Sequence, residues 1–148
     1  MARVSNVRNK RNLMVQIKIQ YEGQLRCNAK HGPSGCELAT DAPVDNHGRG
    51  ESFSPTDLVA TALCSCIATI MGIYASKHDI DLTGLEINVE KHMSTDAPRR
   101  IAKLPLTIHM PAGIDEQHRK ALENVAAHCP VHHSLHPDIE VPVEFMYG

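Results

Sequence analysis

The sequence predicts an α+β fold, on three observations. Apolar residues alternate with period two in groups of strands, three before a long helix and two after it. That helix carries its own start signal at Ser54. A second helix and one closing strand follow, so strands and helices are segregated instead of alternating, unlike a doubly wound parallel sheet. The 148 residues are read as a single domain, 1–148, long enough to bury a core.

Each element has a local reason. Val15, Ile17, Ile19 and Tyr21 alternate with Gln16, Lys18 and Gln20 as a half-buried strand. Glu22, Gly23 and Gln24 read as a turn, after which Leu25, Cys27 and Ala29 resume the alternation and place Arg26, Asn28 and Lys30 on the opposite face. Cys36 to Thr40 reads as a third short strand, with Cys36 packing. From Asp41 to Ser54 the prolines, glycines and Asp/Asn residues make a long loop, of the kind that often lines a site, with Arg49 in it.

The central helix begins where Ser54 caps, Pro55 occupies a first-turn position with no N–H to waste, and Asp57 answers the cap from three residues on. From Leu58 to Ala75 nearly every residue is apolar or small, so the helix is expected to be covered on most sides. Thr61, Ser65, Thr69 and Gly72 favour a buried core helix over a membrane span. Beyond it, Leu85, Ile87 and Val89 form a strand whose expected partner contains Leu104, Leu106, Ile108 and Met110. Pro105 points to an edge position for that partner. Asp115 caps a second helix reaching about His128, with Leu122, Val125, Ala126 and Cys129 on its buried stripe. Ile139, Val141, Val143 and Phe145 then close the chain as a strand, with Pro142 again edge-like.

Composition narrows the function classes. A net charge of −2, aromatic content of 3% and no Trp leave neither the basic field nor the stacking platforms of a nucleic-acid surface. Arg3, Arg8, Lys10 and Arg11 read as a solvated lead-in. No apolar signal segment precedes the domain, and five cysteines without one point to a reducing compartment, the cytoplasm by default.

Cys66 and Cys129 are the candidate reactive pair, because packing the two helices together brings their thiols within reach. Two buried, space-filling cysteines are the competing reading. Cys64 and Cys66 point roughly 200° apart on the helix, so they cannot bond to each other. Cys66 lies beyond the reach of the helix dipole, so a reactive thiolate needs a cation, with Arg26 and Arg49 as candidates. Asp57 either orients that arginine or serves only as half of the capping box. Cys27 reads as a small buried hydrophobe. His128, Cys129, His132, His133 and His136 offer metal-type ligands, but Pro130 breaks their helical spacing and no second paired motif completes a set.

Two motifs carry a family resemblance that spans nearly the whole chain. One is Ser54-Pro55 with Leu58, followed by a small-residue helix with Cys66 eleven positions after the proline; the other is Ala126, Cys129, Pro130 and Val131, then Leu135. In these the sequence resembles the OsmC/Ohr family of thiol peroxidases (osmotically inducible protein C and organic hydroperoxide resistance protein). The resemblance implies antiparallel sheets around two central helices in an intertwined homodimer, with active sites at the subunit interface. It implies Cys66 as the peroxidatic thiol, Cys129 as the resolving one and no role for Cys64. The implied substrate is an organic hydroperoxide, the implied reductant an external dithiol, and no metal, haem or flavin cofactor is required. In the well-characterised branches a glutamate directly follows the motif proline and orients an active-site arginine. Here that position is Thr56, the carboxylate comes one residue later at Asp57, and Arg26 stands roughly where the arginine is expected. The chain therefore resembles a less characterised branch. A redox-sensing or small-ligand-binding dimer without efficient turnover is the alternative expectation, and a metal-binding protein a third.

Overall fold

The computed structural model describes residues 14–148. Arg3, Arg8, Lys10 and Arg11 lie outside the described residues. The chain forms two compact units, one ending at Phe53 and the other running from Ser54 to Gly148.

The first unit is a three-stranded antiparallel sheet in the order β1 (Ile17–Gly23), β2 (Arg26–His31), β3 (Glu37–Asp41). The hairpin between β1 and β2 closes one step later than the sequence predicts. Gly23 pairs with Arg26, so Gln24 and Leu25 form a two-residue loop, both at positive φ (54° and 63°). Leu25 thus sits in the turn and not on the strand. The period-two pattern of β1 is borne out, but its burial is not: Val15, Ile17, Ile19 and Tyr21 are 55–64% exposed. Cys36 lies just outside β3 and is exposed, not packed. The loop after β3 folds back along that strand, with a short 3₁₀ turn at Val44–Asn46. The Asp41 N–H donates to the Phe53 carbonyl (3.1 Å), the Ser52 hydroxyl to the Ala39 carbonyl (2.8 Å), and the Glu51 N–H to Asp41 Oδ2 (3.0 Å).

The second unit is built on α1 (Pro55–Ser76), which starts as the sequence predicts. Ser54 Oγ accepts from the Asp57 N–H at 3.1 Å, and Asp57 Oδ2 accepts from the Ser54 N–H at 2.8 Å, a reciprocal capping box. The buried residues Ala60, Leu63, Ile67, Met71 and Ala75 recur every three or four positions and so form one stripe. Thr61, Ser65 and Thr69 donate their hydroxyls to carbonyls four residues back (2.7–2.9 Å), which satisfies them on the exposed side. Among the described residues α1 is the one helix long and apolar enough to cross a membrane, with mean hydropathy 2.0. Its buried stripe lies in the core of this unit.

Around α1 come β4 (Glu86–Val89), β5 (His92–Met93), β6 (Ile101–Lys103), β7 (Leu106–Met110), α2 (Glu116–Ala126), α3 (Pro130–Ser134) and β8 (Val143–Tyr147). One sheet runs β4-β7-β8, and β5 pairs with β6. Pro105 does not put β7 at an edge. It lies one residue before the strand, its carbonyl accepts from the Glu90 N–H (3.1 Å), and β7 is the central, buried strand. Pro142 precedes β8 in the same way, accepting from the Leu106 N–H (2.9 Å) and leaving β8 a true edge strand. The closing strand begins at Val143, later than the Ile139 that periodicity suggests, and Glu140 makes only a single bridge to Lys103. β7 and β8 run parallel, whereas every other strand pair is antiparallel. The long crossover through α2 and α3 permits this, since a hairpin cannot join parallel neighbours. Leu104, Leu106, Ile108, Met110, Leu122 and Ala126 meet the α1 stripe in one core.

Candidate active site

Cys66 and Cys129 come together in the second unit. Cys66 and Cys64 are both half-buried on α1. Cys129 is fully buried, although not for the reason periodicity suggests. α2 ends at Ala126, and Cys129 is the residue from which α3 starts, with Pro130 in the first turn of that short helix. Its thiol points at the Leu63 carbonyl of α1, 4.0 Å away. Burial, together with a side-chain hydrogen bond and charge interaction with Cys66, pushes the Cys129 thiol above its ordinary pKa. The backbone N–H groups of His132 and Val131 act in the opposite direction. Cys64 is pushed up to about 11, by burial first and by Cys129 second, so it stays a protonated thiol at neutral pH. All five cysteines are free thiols.

A cavity of about 220 Å³ has Ile67, Glu123, His132, Val141 and Phe145 among its walls, but neither Cys66 nor Cys129. A larger one, about 460 Å³, is lined by Thr56, Val59, Arg100, Ile101, His136 and their neighbours; neither thiol lines it. Val59 and Cys66 nevertheless share a face of α1, two helical turns apart.

Asp57 and Arg26 take different partners. Lys91, which the sequence reading passed over, reaches the start of α1. Its Nζ lies 2.6 Å from Asp57 Oδ1, 2.8 Å from Thr56 Oγ1 and 3.3 Å from Ser54 Oγ. Burial raises the Asp57 pKa, but the hydrogen bonds from Lys91 and Ser54 outweigh it and hold the carboxyl below its ordinary 3.8. Asp57 is therefore both half of the capping box and the counterion of a lysine. Arg26, on β2, is held instead by Glu51, in direct contact, and by Asp41, 3.7 Å away. Asp41 is 1% exposed and its Oδ1 has no hydrogen-bond partner, so the nearby guanidinium compensates a buried charge. Arg26, Cys27, Thr40, Asp41 and Glu51 line a polar cavity of about 300 Å³ in the first unit. Arg49 is exposed in the loop before α1. Cys27 is half-buried. Nothing in the sequence near Asp57 announces Lys91. The only signal is a cation directly following the β4 run, a position whose neighbours depend on where β4 ends against the helix cap.

The histidines around Cys129 stand near one another. His128, His132 and His133 lie with neighbouring ring centroids 6.0–6.3 Å apart. Among the described residues no group of three or more His, Cys, Asp or Glu side chains is arranged to hold an ion.

Comparison with known proteins bears on this arrangement. No curated protein matches the chain. A crystal structure from Psychrobacter arcticus 273-4, titled as a candidate osmotic stress induced and detoxification response protein, is 45% identical, with a TM-score of 0.85 over 90% of this chain and 96% of that one. The organic hydroperoxide resistance protein OsmC of Legionella pneumophila shares the fold at 17% identity, with a TM-score of 0.71 over 89% of this chain and 96% of that one. That of Elizabethkingia anophelis does so at 14% identity, with a TM-score of 0.73 over 94% and 99%. Residues 48–144 match the family described as OsmC-like protein, a span that takes in both the capped helix with Cys66 and the turn with Cys129, and the chain belongs to that family.

Proposed function

We propose that the chain is a two-cysteine thiol peroxidase that reduces organic hydroperoxides to alcohols in defence against oxidative stress, working as a homodimer in the cytoplasm. The observation that carries this reading is the delivery of the buried Cys129 thiol to α1, 4.0 Å from the Leu63 carbonyl and one helical turn from Cys66. In the first step the Cys66 thiolate attacks the distal oxygen of the O–O bond. The alkoxide leaves, takes a proton and departs as the alcohol, and the sulfur becomes a sulfenic acid. The Cys129 sulfur then attacks Cys66, the S–O bond breaks, water is released, and a disulfide forms. An external dithiol reduces it by two thiol–disulfide exchanges. Arg26, held by Glu51 and Asp41 within the first unit, is the arginine this reading proposes for the catalytic role. No metal or organic cofactor takes part. The names of the hydroperoxide resistance proteins that share the fold support the substrate class.

The test is dithiol-dependent consumption of cumene hydroperoxide. Cys66→Ser is expected to abolish it. Cys129→Ser is expected to permit one turnover and then stall, with mass spectrometry finding Cys66 over-oxidised. Wild-type activity in Cys66→Ser would end the enzyme reading. A redox-sensing or small-ligand-binding dimer is the second reading. It is favoured by the pairing of Asp57 with Lys91, one residue after the position, here Thr56, at which the family's well-characterised branches carry the glutamate that orients an arginine. A single-turnover disulfide between Cys66 and Cys129 with negligible steady-state rate would select it.

A further inference from the structure

The end of α1 and the first turn of α2 bring together two imidazoles that the thiol chemistry does not use. The rings of His78 and His118 lie with centroids 5.5 Å apart and planes at 62°. Tyr74 holds both through Nδ1. His78 Nδ1 is 2.8 Å from the Tyr74 carbonyl oxygen, and His118 Nδ1 is 3.1 Å from the Tyr74 hydroxyl. A carbonyl only accepts, so His78 carries its proton on Nδ1 and keeps a lone pair on Nε2. The Gln117 side-chain nitrogen lies 3.4 Å from His118 Nε2. With the Gln117 amide N–H donating to Nε2, the His118 proton sits on Nδ1, toward the tyrosine oxygen, and an ion at Nε2 takes the place of that long amide contact. The His78 ring also stacks on Tyr74 (4.0 Å between centroids, 22° between planes), which fixes its orientation.

Each ring thus has its Nδ1 engaged by Tyr74, the arrangement in which a histidine offers Nε2 to a metal. The spacing agrees. With a zinc–nitrogen distance of about 2.0–2.1 Å and a ring centre about 1.1 Å further out, two imidazoles on a tetrahedral ion have centroids about 5.2 Å apart. The observed centroid separation of 5.5 Å is close to that value.

We propose that His78 and His118 form a two-imidazole site for a divalent ion of the zinc, nickel or copper class, the ions that nitrogen ligands favour. Water fills the remaining positions, because among the described residues no third ligand joins the pair. The ion is therefore exchangeable, unlike a four-ligand structural zinc, and it clips the end of α1 to α2. Acid releases it, since a protonated imidazole has no lone pair to offer.

The test is titration of the full chain with zinc chloride, read ring by ring in long-range ¹H–¹⁵N spectra, so that zinc on the thiols does not confuse the result. The Nε2 signals of His78 and His118 are expected to move together along one saturation curve and to return on adding a chelator. His78→Ala is expected to weaken binding at His118 at least tenfold. Tyr74→Phe, which keeps the stack and removes the hydroxyl, should weaken it several-fold. Signals from the two rings that stay put while other sites saturate, or that move on separate curves, overturn the proposal without reliance on any variant's folding.

Discussion

Lys91 shows how a single side chain redirects the chemistry around it. Its side chain is 17% exposed, and its ammonium group lies within 3.3 Å of three oxygens at the start of α1. A cation at a helix N-terminus opposes the helix dipole, so the position is tolerable only because Asp57 pairs with it. Lys91→Met is expected to lower stability by about 1 kcal/mol, toward the surface-pair range because Asp57 is well exposed. The pH dependence has a definite sign. The folded-state pKa of Asp57 lies below 3.8, so its contribution is fully present above that value and is lost as pH falls through the lower folded value. Urea unfolding of wild type and Lys91→Met should differ by a constant amount from pH 7 down to about 5 and converge in acid. A gap that widens in acid would rule the account out.

At the scale of the element, the β1–β2 turn carries strain that the sequence reading did not find. A two-residue hairpin loop with both residues left-handed favours Asn-Gly, yet here it holds Gln24 and Leu25. Leu25 is 45% exposed, so its side chain contributes little burial in return. Leu25→Gly is expected to raise stability by about 0.5–1 kcal/mol, the left-handed penalty less the added chain entropy of glycine. Thermal melting would register this as an upward shift of a few degrees, and a downward shift would mean the leucine is needed for packing. The strands around Pro105 and Pro142 obey a related rule. Each proline sits one residue outside its ladder, where the missing N–H removes no strand bond and the carbonyl still accepts one.

For the molecule as a whole, two apolar surfaces remain open. One is the β1 row of Val15, Ile17, Ile19 and Tyr21; the other is the uncovered part of α1, whose most apolar window is 33% buried. Exposed apolar area of this extent marks an interaction face, and it supports the homodimer proposed above. Sedimentation at micromolar concentration should give twice the chain mass. Ile17→Lys with Ile19→Lys is expected to shift the species toward monomer while the α1 core, and with it the helical signal, persists. A monomeric wild type would require another cover for both faces.

Much of this architecture was legible in the residues alone, and the legible parts share a cause. Caps, periodicity and turns are settled within a few residues, so Ser54, Pro55 and Asp57 announce the start of α1, alternation announces β1, β2, β4 and β7, and the motifs around Cys66 and Cys129 announce the family. What stayed hidden depends on partners far along the chain. Periodicity assigned Cys129 to the stripe of α2, but the helix ends sooner and packing delivers the thiol to Leu63 from the start of α3. The local pattern left the partner of Asp57 open, and the segment after β4 supplies Lys91. The sequence by itself determined the two longer helices, most of the strands and the family. Only the tertiary structure decided which strand is central, which carboxylate meets which cation and how Cys129 reaches Cys66, because those outcomes follow from where distant segments pack against one another, and no local pattern encodes that.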